Sequence, residues 1–232
     1  VGSAAPSPVT VANQRVGGTT TQALTISNTA PGGAFTEGLN AAFTGTTLQA
    51  NTNGGSVALL AGGASNNTAM RVGVDTSSAG AKAGSVTLGY QSDGAGTSGL
   101  AAISAGSQTI DVSGNVYLQA QPSFAATTLN VGNVHVGGTA TQALTITNTS
   151  VGPIGFQEGL NAGFTGTTGG ATTNGGSFTN LARGGSNNTS LIVGINTATA
   201  GNIIGSATVG LVSNGTGTSG LAGGEPALRR EF

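Results

Sequence analysis

The chain has 232 residues, 43 of them Gly, and only 6% are charged, with a net charge of −1; an ordinary soluble domain carries about 25% charged residues. Such a surface excludes nucleic-acid binding, which needs clustered Lys and Arg to release counterions, and the low net charge excludes charge-driven disorder. With no Cys, disulfides and thiolate metal sites are excluded, and no window approaches the roughly 20 apolar residues of a spanning helix.

The chain opens on Val1 rather than Met, as a processed or trimmed chain would. Gly2-Ser3 near the start and Glu231-Phe232 at the end read as restriction-site remnants, dipeptides that also occur naturally. The first predicted strand holds Leu24 and Ile26, alternating with Thr25 and Ser27. Further strands follow at Met70, Val72 and Val74, at Val86, Leu88 and Tyr90, and at Ile110 and Val112. Alternation with a period of two puts one face in a core and the other in water, and β-branched residues suit it. Asn53-Gly54 and Asp93-Gly94 punctuate these runs as turns.

Beyond Gln121-Pro122-Ser123 the same text begins again. Val-Gly-Gly-Thr-Thr-Thr-Gln-Ala-Leu-Thr-Ile-Ser-Asn-Thr at 16–29 recurs at 136–149 with two differences, and Glu-Gly-Leu-Asn-Ala-Ala-Phe-Thr-Gly-Thr-Thr at 37–47 recurs at 158–168 with one. Strands are expected again at Leu144/Ile146, Leu191/Val193/Ile195 and Ala207/Val209/Leu211, with turns at Asn174-Gly175 and Asn214-Gly215. A period of about 120 residues is domain-sized, too long for a solenoid repeat. The expectation is an all-β chain of two tandem Ig-like antiparallel sandwiches, residues 1–121 and 122–232, with about seven short strands each.

These residues resemble a known family. The Val-Gly-Gly-Thr…Leu-Thr-Ile-Ser-Asn-Thr opening is similar to choice-of-anchor D domains. So are the Gly-Gly-x-Ser-Asn-Asn-Thr…Val-Gly-Val-Asp-Thr centre and the Gln-Thr-Ile-Asp-Val-Ser-Gly-Asn-Val-Tyr finish at 108–117. The resemblance covers nearly the whole chain, twice. It implies an Ig-like bacterial surface or matrix module, distantly like the abnormal-spindle and hydin type, exported and without catalytic residues. An anchor of the kind that gives the family its name is not visible after Leu221.

The second copy lacks its own last strand. Nothing after Leu221 matches Ile110, Val112, Val116 or Leu118, and the final stretch holds four of the thirteen charged residues. Three readings stand side by side. The tail supplies a makeshift strand with Leu228 and Phe232 inward, the chain ends mid-domain, or a neighbouring subunit fills the slot by strand addition and makes a head-to-tail polymer. The first residues, through Pro8, are a poor donor, because Pro6 and Pro8 have no N–H to give.

Catalytic and metal chemistry find little support. The sole His, His135, has Arg15 as its repeat counterpart and is expected on an exposed strand face. Asp75 and Asp93 become Asn196 and Asn214 in the second copy, so neither belongs to a repeated acidic pair. Glu37 and Glu158 match each other and read as loop residues. Arg71 and Lys82, expected on the exterior, become Ile192 and Ile203. A candidate interface therefore comprises Leu221, Leu228, Phe232, Ile192 and Ile203. No cofactor and no metal are expected. The expected function is a non-catalytic extracellular structural or adhesive protein, its partners being other copies of itself, surface proteins or polysaccharide. The rival is a carbohydrate- or ligand-binding module of a larger secreted protein, which a cluster of exposed aromatics would favour.

Overall fold

A computed structural model describes residues 1–224 together with the backbone of Arg230 and Glu231. The described residues contain strands, turns and loops and no helix. Contacts divide the chain into two units, Val1–Val116 and Tyr117–Phe232. Each is an all-β sandwich.

In the first unit the strands are β1 (Gly2–Ala5), β2 (Val9–Thr10), β3 (Gln14–Arg15), β4 (Gln22–Ala23), β5 (Thr25–Asn28) and β6 (Gly38–Leu48). They continue with β7 (Ala50–Thr52), β8 (Ser56–Leu60), β9 (Ser65–Asn66), β10 (Arg71–Val74), β11 (Gly80–Asp93) and β12 (Ile103–Tyr117). One layer is the sheet β2-β12-β11-β6-β8, with β3 also on β12; the other is built from the short sheets β1-β5-β9 and β4-β10-β7. Ile26, Val72 and Val74 of the short sheets, with Leu24 between β4 and β5, meet Val86, Leu88, Ile110 and Val112 of the long one in a single buried cluster. The expected alternation is thus what holds the layers together, each fully buried aliphatic contributing about 2 kcal/mol.

Two features depart from expectation. The β2–β12 pair is parallel, Val9 opposite Val112, so the sheet is not wholly antiparallel. Gly2 and Ser3 are not extraneous to the fold: they pair with Asn28 and Ser27 in β1.

The second unit repeats the plan with β13 (Pro122–Phe124), β14 (Thr141–Ala143), β15 (Ile146–Asn148), β16 (Gly159–Gly169) and β17 (Ala171–Thr173). It ends with β18 (Ser177–Leu181), β19 (Ser186–Asn187), β20 (Ile192–Ile195), β21 (Gly205–Asn214) and β22 (Arg230–Glu231). Its sheets are β13-β15-β19, β14-β20-β17 and β18-β16-β21-β22.

Hydroxyl pairs across neighbouring strands stand where other proteins place ion pairs. Ser27 and Ser65 lie 2.7 Å apart, Thr47 and Ser85 2.9 Å, Thr147 and Ser186 2.6 Å, and Thr168 and Ser206 2.6 Å. Cross-strand hydroxyl pairs stabilise a sheet without charge, which is how a chain with so few ionic residues covers its strands. Asn66 and Asn187, which head sequon-like triplets, accept the N–H groups of Thr68 and Thr189 and so close local turns.

Candidate interaction surface

The two units differ most where the first has β12. There β11 pairs with β12 from Gly80↔Val116 to Ser92↔Ile103. In the second unit, among the described residues, β21 meets on that side only the two-residue β22, Thr208 opposite Glu231 and Val209 opposite Arg230, and a single bridge from Ser213 to Gly224. The tail therefore does contribute a strand, at Arg230–Glu231. Leu228 and Phe232 lie outside the described residues.

The short partner has local consequences that follow from lost hydrogen bonds. Strands β2 and β3 exist because β12 pairs with them. Their counterparts, residues 129–130 and 134–135, are not strands. His135 accordingly does not sit on a strand face; it is an exposed turn residue whose carbonyl accepts the Gly138 N–H at 2.9 Å. Likewise β11 starts at Gly80, where β12 pairs with it, but its counterpart β21 starts only at Gly205; among the described residues no strand pairs with residues 201–204.

What remains is an open cleft of about 670 Å³ lined by Leu129, Val131, Val136, Ile195 and Ile203 among others. In the first unit the equivalent space is filled. There β12 lies beside β2 in the same sheet, Val9 next to Val112; Val9, Val11, Val112 and Val116 are all buried, and the backbone at Gly114 runs beside Val11 and Val74. Leu129 and Val131 are half-buried, and Val134 and Val136 are exposed. Segment 129–136 is thus the main wall of the cleft, and residue-type reasoning passed over it. Its alignment with segment 9–16, whose strand partners lie in β12, was the available signal.

Among the remaining interface candidates, Ile203 lines this cleft. Its counterpart Lys82 is not exterior: it is 3% exposed, and its ammonium donates to Ser78 Oγ at 2.9 Å. The long stem packs inward while the charge finds a hydroxyl at the edge. Ile192 is half-buried in β20 opposite Ala143, away from the cleft. Its counterpart Arg71 lies along the sheet with Nε donating to Thr21 Oγ1 at 2.8 Å. Leu221 is half-buried just past the glycine loop, its N–H donating to Ser219 Oγ at 3.2 Å.

That loop is organised by the matched glutamates. Glu37 accepts Ser92 Oγ at 2.7 Å and Ser98 Oγ at 2.5 Å; Glu158 accepts Ser213 Oγ at 2.7 Å and Ser219 Oγ at 2.5 Å. Gly94 and Gly215 stand so close to those second serines and to the leucine backbone beyond that a Cβ has no room. The Ser98 and Ser92 hydroxyls hold the Glu37 carboxyl below the ordinary carboxylate range. Asp93 is lowered by the Ala95 N–H and by Asn40, and Asp75 by the Ser77 N–H and hydroxyl. Each of these acids is bound to neighbours that fix a loop. Among the described residues no group of three or more His, Asp or Glu side chains is placed to hold a metal ion.

No protein-family model matches the chain, and no curated protein does. Several solved structures are similar in outline. A protein of unknown function from Porphyromonas gingivalis W83 aligns over 100% of this chain and 96% of its own at 16% identity and a TM-score of 0.37. The YadV chaperone aligns over 100% of this chain and 99% of its own at 10% identity and a TM-score of 0.33. InvD of Yersinia pseudotuberculosis aligns over 100% of this chain and 69% of its own at 16% identity and a TM-score of 0.28. None of these likenesses is close enough to carry a role to this chain.

Proposed function

We propose that this chain is a non-catalytic structural module of the choice-of-anchor D kind, Ig-like in its folding plan, that works outside the cell at a bacterial surface or in a matrix and assembles by strand addition. The observation that supports this reading is the short pairing on that side of β21, with only β22 and the Gly224 bridge among the described residues, together with the cleft walled by segment 129–136. Beyond β22 and the Ser213–Gly224 bridge, β21 has no further strand partner on that side among the described residues, and a sheet edge so sparsely paired accepts an added strand. The incoming strand is one like residues 108–117: aliphatic where Ile110 and Val112 stand, glycine where Gly114 passes close to the opposite layer, aliphatic again at Val116. The low charge of the chain removes the repulsion that would keep such modules apart.

The rival reading, a carbohydrate-binding module, calls for exposed aromatics gathered on one face. Tyr90 and Tyr117 are buried, and Phe43, Phe124, Phe164 and Phe178 pack against the cores. Phe35 alone among the described aromatics is exposed.

The test is a peptide with the sequence of residues 107–118, titrated into the full chain while amide exchange is followed. Assembly by strand addition predicts slowed exchange in β21 and in residues 129–136, with no change in β11. A peptide carrying Asp at the positions of Ile110 and Val112 should have no effect. Equal exchange with and without the first peptide would overturn the reading.

A further inference from the structure

The two units also differ at the opposite end, and there the second unit shows an occupant in place. Thr149 donates its N–H and its hydroxyl to the Gln121 carbonyl, at 2.7 and 3.0 Å; Thr29 makes the same two bonds to the Val1 carbonyl, at 2.9 and 2.7 Å. Val1 and Gln121 are therefore the same structural position. Residues 117–120, which lead into Gln121, are docked. The Leu118 N–H donates to the Phe156 carbonyl at 2.8 Å, and the Glu158 N–H donates to the Leu118 carbonyl at 2.9 Å. Tyr117 packs on Phe156 with ring centroids 5.4 Å apart. Leu118 lies over Gly152, where a Cβ would collide with it. Ala120 is buried, and its N–H donates to Ser213 Oγ at 2.8 Å, which closes the roof over Glu158.

The first unit has the same floor without the cover. Glu37 and Ser92 are half-buried where Glu158 and Ser213 are 0% exposed. A cavity of about 120 Å³ lies between Val1, Ala30, Thr36, Glu37, Leu39 and Ser92. Gly32 stands where Gly152 accommodates Leu118. The loop is one residue shorter, so its turn closes on Thr36, whose N–H donates to the Gly33 carbonyl at 3.1 Å. That places Phe35, which matches Phe156 in the Phe-x-Glu-Gly-Leu-Asn motif, 100% exposed on the rim.

We propose that this end of the first unit is an acceptor for a short extended peptide of the same chemistry as residues 117–120. The segment is an extended tetrapeptide with an aromatic residue first, leucine second and alanine last, entering directly ahead of Val1. Its alanine fills the cavity over Glu37 and Ser92, its leucine lies on Gly32, and its aromatic ring covers Phe35. The pattern for this cover is residues 117–120, which roof the matching glutamate–serine cluster inside the second unit. This inference rests on the match between the two units and not on strand addition at β21, which involves the other end of the second unit.

The test extends the full chain by Tyr-Leu-Gln-Ala ahead of Val1 and compares it with a Gly-Ser-Gly-Ser extension. Docking predicts that exchange of the Glu37 amide slows at least about tenfold with the first extension alone, and that the unfolding temperature of the first unit rises. Replacing the leading Tyr and Leu by Ala in the extension, or Phe35→Ala in the chain, should remove most of the gain. Since Phe35 is fully exposed, its removal leaves the unextended fold unchanged, so a lost gain reports docking. Indistinguishable exchange at Glu37 in the two extended chains would overturn the proposal.

Discussion

Leu48 and Gly169 occupy the same point in the two units, the corner where the chain leaves one layer for the other, and both have positive φ, 50° and 58°. Glycine adopts that conformation freely, whereas leucine there is strained by about 1 kcal/mol. Leu59 and Asn180 repeat the relationship at φ 50° and 55°, and asparagine tolerates it better than leucine. Since Leu48 is 89% exposed, Leu48→Gly sacrifices little packing. We expect Leu48→Gly and Leu59→Asn each to stabilise the first unit by roughly 0.5–1 kcal/mol in urea unfolding. The reverse change, Gly169→Leu, should cost about 2 kcal/mol or more, because its Cβ would press on the Gly205 backbone at 2.9 Å. Stabilisation by Gly169→Leu would refute the strain argument.

Glu158 is fully buried and holds two serine hydroxyls, whereas Glu37 holds the matching pair half in water. Removing a buried acceptor strands both donors, while water can replace an exposed one. Glu158→Ala should therefore destabilise the second unit by about 2–4 kcal/mol. Glu37→Ala should loosen the loop at 94–99 with a smaller loss. Calorimetry of the two variants checks the order, and equal losses would sink the explanation.

Three acids of the first unit contribute to the acid limb of stability. Glu37, Asp75 and Asp93 are all shifted below their ordinary values of 4.5, 3.8 and 3.8 by hydrogen bonds to the ionised form. The unfolded chain therefore takes up protons first as pH falls. Their contribution is complete above the unfolded values and is lost as pH drops below about 4 through the folded ones. Unfolding midpoints measured from pH 7 to pH 2.5 should decline there, and Asp93→Asn, which copies Asn214, should flatten the decline.

On the alkaline side the group that matters is Tyr90, whose hydroxyl donates to Gln108 Oε1 at 2.9 Å and whose phenol is pushed by burial from 10.0 up to about 12. The folded state keeps the proton that the unfolded state loses. Stability from this group is present below pH 10 and is lost as pH rises towards the folded value. Tyr90→Phe should remove that slope while costing about 1 kcal/mol at pH 7 for the lost hydrogen bond. An unchanged slope between pH 10 and 12 would contradict this.

With Val9 and Val11 buried beside Val112 and Val116 in the first unit, and the matching wall half-exposed in the second, the two should not melt together. We expect the second unit to unfold first on heating, with β21 amides exchanging faster than those of β11. A single transition with equal protection in both strands would show that the short β22 suffices.

Much of this was legible in the text of the chain. The repeat, the strands and their inward faces follow from alternation and duplication, because a pleated strand leaves its period in the sequence whatever it packs against. Leu24, Ile26, Leu144 and Ile146 are buried as their spacing required. The matched glutamates read as loop residues, and the serines they hold make them so. Orientation at the ends of strands was not legible. Lys82 reads as exterior by type, yet it stands on the same pleat face as the buried Val86 and Leu88 and points inward; His135 reads as a strand residue, yet among the described residues no strand pairs with it. At Lys82 the pleat of β11 outweighs residue type; at His135 the outcome depends on a strand partner far away in the chain, which local residue type does not encode. The same holds for the roof over Glu158 and its absence over Glu37: two nearly identical motifs differ in burial because of four residues that come before Gln121. Sequence sets which faces are apolar; which edges and cavities are covered is decided only by what the rest of the chain brings alongside.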